Sequence, residues 1–296
     1  MSEKAKTAFR FNRHKTLRRV YQKINYLIIR RHIYGLTAPL RVLPDFIVIG
    51  VVRGGTTSLY HYLSQHPCIA RAAYDELGFF DTNYELGINW YRSLFPTKLY
   101  ARYVRWRRKH FMTFDVTPFY IYNPDAAERI RDTLPHVKII VVLRNPVDRA
   151  YSNYNLGVRN KDEKRSFEEA IKFEVNKIHE YGDLPKDKKY FEQIVAYSYI
   201  ARGFYAEQIA IWFKLFSKDQ IFIISSEDLE EKENDTLTTI FDFLELPKCK
   251  INDLAKMNKA DYPPMDPQTR SKLIDYFRPH NEKLYALLGR RFEWDR

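Results

Sequence analysis

Phe46-Ile47-Val48-Ile49-Gly50-Val51-Val52-Arg53-Gly54-Gly55-Thr56-Thr57-Ser58 is the stretch on which the reading of this chain turns. Phe46 to Gly50 suit a short buried strand, Gly54 and Gly55 make a loop, and Thr56 to Gln65 carry a helix pattern. Glycines allow consecutive backbone N–H groups to curl around an anion. A helix N-terminus adds roughly half a positive charge and free donors. Thr56, Thr57 and Ser58 add hydroxyls. A strand before and a helix after turn a weak glycine pattern into a phosphate-loop expectation.

The details of the loop separate two chemistries. A Walker A loop reads GxxxxGK[ST]; aligned on Gly50 and Gly55, its lysine position holds Thr56, and the cation lies inside the loop as Arg53. A P-loop kinase or other NTP-dependent enzyme needs that lysine and a carboxylate on Mg²⁺. The strongest strand pattern, Val137 to Leu143, ends at Arg144 instead of an acid, and Glu227 and Asp228 are the visible metal candidates. This favours a donor that needs no metal, with the NTP-dependent enzyme as the alternative.

Further out, Phe111 to Asp115 and Gln220 to Ser225 read as strands. Pro124 to Leu134, Pro146 to about Leu156, Ser166 to Tyr181, Ser198 to Phe216, Thr236 to Leu244 and 267–289 read as helices, and 160–165 and 182–190 as loops. Apolar runs alternating with helices predict an α/β fold, a P-loop-like parallel sheet with helices on both faces. Arg144 leaves a strand end, where open α/β sheets bind ligands, and Ser152 lies about two turns along the following helix. An arginine fork and a hydroxyl suit a second phosphate. Alone, Arg144 reads first as a salt bridge, for instance to Asp148. Two phosphate sites together suggest a nucleotide phosphorylated at two positions.

The chain has 296 residues, 45% hydrophobic and 29% charged, which suits one large domain. Of the net charge of +12, residues 1–44 carry +10, from 11 Lys or Arg against Glu3, and the remainder carries +2. We therefore divide the chain into a basic arm, 1–44, and a domain, 45–296. A nearly neutral body argues against a nucleic-acid partner. Within the arm, Leu17, Val20, Tyr21, Ile24, Ile28 and Tyr34 fall near helical spacing among basic residues. That pattern suits an anionic membrane surface, and equally a helix packed on the domain. Two distant cysteines, Cys68 and Cys249, no membrane-spanning run and no signal-peptide core point to a cytoplasmic location, peripheral to membrane where the arm engages it.

The two phosphate segments resemble those of the PAPS-dependent sulfotransferase family, PAPS being 3'-phosphoadenosine 5'-phosphosulfate. Asp75-Glu76-Leu-Gly78-Phe-Phe-Asp81, Trp90-Tyr91, Phe95-Pro96, Thr117-Pro118-Phe-Tyr120, Arg202-Gly-Phe-Tyr205, Trp212, Phe216 and Glu227-Asp-Leu229 resemble the heparan sulfate type, so the likeness covers about residues 45–296. The resemblance implies that Arg53, Gly54, Gly55, Thr56, Thr57 and Ser58 hold the 5'-phosphosulfate, and Arg144 and Ser152 the 3'-phosphate, of PAPS or its product PAP. It implies Glu76 as general base, Arg53 as the cation on the leaving oxygen, no metal, and a carbohydrate, glycolipid or small hydroxyl acceptor. Three departures stand out. Gly78 replaces a histidine and Val116 a lysine, both contacts to acidic sugars, which points away from a heparan-like polyanion. The disulfide-bonded loop of many animal members is missing; Asn258-Lys259 to Pro264 stand in its place, with Lys259 a further phosphate candidate.

Overall fold

The computed structural model describes residues 34–181, 198–255, 257 and 261–294. Five strands form one sheet: β1 (Phe46–Gly50), β2 (Ile69–Arg71), β3 (Met112–Val116), β4 (Lys138–Leu143) and β5 (Ile221–Ser225). The order is β2-β3-β1-β4-β5, and every pairing is parallel. Parallel neighbours need crossover helices, which cover both faces of the sheet. Among the described residues the α-helices are α1 (Thr56–Leu63), α2 (Ile88–Ser93), α3 (Lys98–Arg108), α4 (Pro124–Thr133), α5 (Pro146–Asn160), α6 (Phe167–Tyr181), α7 (Tyr205–Leu215), α8 (Ser226–Glu231), α9 (Glu233–Phe243) and α10 (Pro267–Leu288).

Strand alternation divides the core. Ile47, Ile49, Ile139, Val141 and Leu143 point into one apolar cluster, with Trp90, Tyr91, Tyr120, Tyr205 and Trp212. Phe46, Val48, Ile140 and Val142 point into the other, with Leu59, Ile224, Ile240 and Phe241. All five residues of β1 are buried, as a strand covered on both faces requires. From β1 the chain moves out to β2, returns to β3, and then crosses to β4 and β5. The strand order therefore reverses beside β1, and the crevice at its carboxyl end is the place where such sheets bind ligands.

The loops at that end are set by caps. The Asn145 side chain accepts the Val147 N–H, and Pro146 stands at the first helical position, so α5 starts immediately after Arg144. Ser225 caps α8 by accepting the Asp228 N–H. Asp266 and Pro267 open α10, and Gly289, left-handed at φ 64°, closes it.

Four strands and most helices stand where the sequence predicts them, and three differences have physical causes. The helix expected from Ser198 begins only at Tyr205. The buried carboxylate of Glu174 draws in the Ser198 hydroxyl and the N–H groups of Tyr199, Ile200 and Ala201, which folds that stretch into a bend and a 3-10 turn. Strand β2 has three residues, too few to show alternation. Helix α3 was not expected, because it buries only Ala101 and Val104. The basic helix anticipated in the arm lies almost wholly outside the described residues, and the whole 182–190 loop and Lys259 lie outside them. Tyr34–Leu40 form a 3-10 helix.

Candidate active site

The loop after β1 owes its path to its glycines. Gly54 faces the Val142 carbonyl oxygen so closely that an added Cβ would lie 2.7 Å from it. Gly55 begins α1 in the left-handed region at φ 91°, which glycine enters without penalty. Arg53 shares that region at φ 68°. A non-glycine residue held there is strained, a condition that clusters at functional sites.

A cavity of about 540 Å³ opens over the carboxyl ends of the strands. Arg53, Gly55, Thr56, Thr57 and Ser58 line it from the first loop, Arg144 from the end of β4, Ser152 from α5, and Glu76 from the loop after β2. Eight of the nine residues selected from sequence thus meet in one space. Gly54 does not line it; that glycine lets the loop pack on β4. The two phosphate segments are contiguous: Arg53 Nε donates to Ser152 Oγ at 3.0 Å, and Arg144 Nη1 donates to the Arg53 carbonyl at 3.0 Å. Asp148, the alternative partner for Arg144, is taken by Arg270 at 2.6 Å.

Sequence reasoning missed Arg159, Ser226, Met257 and Tyr262 in the wall, whereas Phe119 comes from the quoted Thr117–Tyr120 motif. Arg159 lies seven residues after Ser152 on α5, hence on the same helical face, and that spacing could have revealed it. Tyr262 comes from the segment that stands in place of the missing disulfide loop. Three arginines therefore converge on one cavity. Burial, then the neighbouring charges of Arg144 and Arg159, lower the Arg53 pKa below the usual guanidinium range. Such a cluster is electrostatically completed by polyanion. Glu227 and Asp228 are committed elsewhere: Glu227 accepts the Asn145 N–H at 2.9 Å, and Asp228 pairs with Arg290 at 2.8 Å.

The loop that carries Glu76 is held from beneath. Asp115, fully buried at the end of β3, accepts hydroxyl hydrogen bonds from Tyr91 (3.0 Å), Tyr120 (3.0 Å) and Thr117 (2.8 Å). Two of those hydroxyls in turn accept backbone N–H groups of the 76–81 loop. Thr117 takes Gly78 at 3.2 Å, and Tyr120 takes Phe79 at 2.8 Å and Phe80 at 3.3 Å. Glu76 donates its own N–H to the Val116 carbonyl at 3.0 Å and sits at φ 53°. Burial, reinforced by Asp75 and Asp81, raises the Glu76 pKa above the ordinary carboxylate range. Burial pushes Asp115 up to about 6 despite its three hydroxyl donors.

Two of the three family departures have local causes. Gly78 has φ 59°, and a Cβ there would meet Thr82 Oγ1 at 2.9 Å, so the turn as built excludes a histidine. Val116 is core, with 4% exposure at the end of β3. The Arg202–Tyr205 segment buttresses the site: Tyr205 donates to the Arg144 carbonyl at 2.8 Å, and Arg202 lies 4.6 Å from the centre of the cavity-lining Phe119 ring.

Residues 43–275 match the sulfotransferase domain family. The chain is 30% identical to the membrane-associated sulfotransferase kil1 of Dictyostelium discoideum, over 86% of this chain and 67% of that protein. It is also 30% identical to heparan sulfate glucosamine 3-O-sulfotransferase 3B1 of Mus musculus, over 86% of this chain and 65% of that protein. The chain thus spans about two thirds of the length of these relatives. A crystal structure of a sulfotransferase from Alicyclobacillus acidocaldarius superposes with a TM-score of 0.65 at 27% identity, covering 86% of this chain and 100% of that one.

Proposed function

The chain belongs to the sulfotransferase domain family, and from that premise we propose that its cavity binds PAPS and transfers the sulfuryl group to a hydroxyl or amine of a carbohydrate or glycoconjugate. The observation that carries this reading is the meeting of Arg53, Arg144, Arg159 and Ser152 with Glu76 around one cavity. Arginine forks and hydroxyls suit the two phosphorylated ends of the donor, and the volume suits a nucleotide.

Glu76 is the general base. It accepts the proton of the acceptor hydroxyl or amine as that atom bonds to sulfur, while the bond from sulfur to the phosphate oxygen breaks and releases PAP. Arg53 offsets the charge that develops on that oxygen; its Nε contact to Ser152 uses one of five N–H donors. Thr117-Pro118-Phe119 and the 76–81 loop form the acceptor side. Residues 45–296 act as the catalytic domain, and residues 1–44, with their charge of +10, as an arm suited to anionic membrane.

Calorimetric titration with PAP, against ATP with Mg²⁺, tests the donor. PAP should bind without metal, and Arg144→Ala should weaken it roughly tenfold or more, as loss of a charge-assisted hydrogen-bond partner does. Preference for Mg-ATP in folded protein would overturn the assignment in favour of an NTP-dependent enzyme. Transfer of labelled sulfate from PAPS to a panel of glycans and glycolipids then identifies the acceptor.

A further inference from the structure

Helix α3 turns toward solvent the kind of face that helices ordinarily bury. Ala101 (0% exposed) and Val104 (9%) pack against Phe111, Val42 and Ala70. On the opposite side Leu99, Tyr103 and Trp106 follow i, i+4, i+7 spacing and form one stripe. They are 77%, 56% and 72% exposed. The Tyr103 and Trp106 rings lie 6.3 Å apart. Helical spacing places Lys98 and Arg102 on one flank of the stripe and Arg107 on the other. From Lys98 to Lys109 the chain carries six cations and no acid. Single exposed apolar residues need no explanation, but a contiguous stripe marks an interaction surface.

The chain entering from the arm is tied to this helix. The Tyr34–Leu40 turn exposes Leu36 and Leu40, and just after it Arg41 bridges Thr97, the N-cap of α3. None of the α3 side chains lines the catalytic cavity. An aliphatic and aromatic stripe with cationic flanks has the composition of an interfacial helix: Trp and Tyr settle at headgroup depth, and Lys and Arg reach lipid phosphates. A sulfated glycan would satisfy the cations but gives Leu99 no apolar partner. No helix among the described residues is long and apolar enough to cross a membrane, so the contact is with the surface.

We infer that α3 is a docking surface for an anionic lipid bilayer, with Leu99, Tyr103 and Trp106 seated among the headgroups and Lys98, Arg102 and Arg107 on lipid phosphates. The contact is made by a folded element packed on the domain, so it sets the orientation of the domain as well as its proximity to lipid. It does not depend on the chemistry assigned to the cavity.

Trp106 supplies a direct probe, because Trp90, Trp212 and Trp294 are buried. The full chain is mixed with vesicles of phosphatidylcholine alone or with about a third phosphatidylserine. Trp106 emission should shift to the blue, and brominated acyl chains should quench it, with the anionic vesicles. Arg102→Glu with Arg107→Glu should reduce sedimentation with those vesicles roughly tenfold or more, from about 1 kcal/mol for each basic residue near the surface. Sedimentation with Trp106 emission unmoved would assign binding to the arm alone and overturn the inference. A shift produced by heparin and not by vesicles would reassign α3 to an acidic glycan, and absence of sedimentation would refute the surface altogether.

Discussion

The two sides of the cavity are held in place by different means. On the donor side, position comes from the ends of secondary structure: the loop between β1 and α1, and Arg144 between β4 and its Asn145 cap. On the acceptor side, Glu76 belongs to no helix or strand. Its loop hangs by backbone N–H groups from two hydroxyls, those of Thr117 and Tyr120, and both converge, with the Tyr91 hydroxyl, on the single carboxylate of Asp115. On the proposed reading, donor binding is therefore a property of the fold, whereas placement of the proposed base depends on a buried polar network that one substitution can damage. The experiments below separate the two.

The largest expected effect comes from Glu76→Gln. The amide keeps the shape and removes the base, so turnover should fall by about a hundred- to ten-thousandfold. PAP affinity should stay close to wild type, since Arg53, Arg144 and Ser152, proposed to hold the phosphates, reach the cavity from other elements. Transfer kinetics and PAP titration on the same preparation check this. Retained turnover would remove Glu76 as the base; lost PAP affinity would merge the two sides.

Asp115→Asn comes next, and it acts at a distance from any reacting atom. An amide cannot accept from three hydroxyls as a carboxylate does, so the Gly78–Phe80 turn loosens. Turnover should drop roughly ten- to a hundredfold through misplacement of Glu76, with PAP affinity unchanged. A second readout distinguishes this from general damage. Asp115 is raised from an ordinary 3.8 to about 6, so between those values the folded protein holds a proton that the unfolded chain has released. Its contribution is full below about pH 4 and is lost as pH rises through about 6. The amount is on the order of 3 kcal/mol. Denaturant titrations from pH 4 to 7 should show that the variant lacks this part of the slope.

The same contrast explains what could be read from sequence. The donor side is encoded locally: a β-branched run, Gly54-Gly55 and Thr56-Thr57-Ser58 are adjacent, and Arg144 and Ser152 lie two helical turns apart. The loop stands out by its local pattern, and Arg144 and Ser152 become a candidate site in combination with it. The acceptor side joins residues 76–80, 91 and 115–120, which no periodicity connects, and Glu76 was reached only through family resemblance. The role of Asp115 was invisible, because a lone acid at a strand end looks like surface. Charge totals misled in a related way. A body with a net charge of +2 reads as featureless, yet the stretch Lys98 to Lys109 around α3 concentrates six cations within twelve residues and acids elsewhere cancel them in the sum. Its apolar stripe also faces outward, so a rule that reads apolar faces as buried cannot place it.

The smallest effect lies within the acceptor loop and concerns pH. Burial raises the Glu76 pKa first, and the charges of Asp75 and Asp81 raise it further. A base must be ionised to act, so turnover should climb with pH through an inflection above the ordinary carboxylate range. Asp75→Asn and Asp81→Asn each remove one repelling charge, so each should move the inflection to lower pH and raise activity on the acid limb while leaving the plateau nearly unchanged. Asp81 is the more informative of the two. Its carboxylate also accepts the Thr82 N–H at 2.5 Å, and the Asn variant retains an oxygen for that bond, so a shift without a fall in plateau isolates electrostatics from loop geometry. A fall in plateau without a shift would mean that Asp81 shapes the loop instead of tuning the base, and the electrostatic part of the contrast between the two sides would then rest on burial and Asp75.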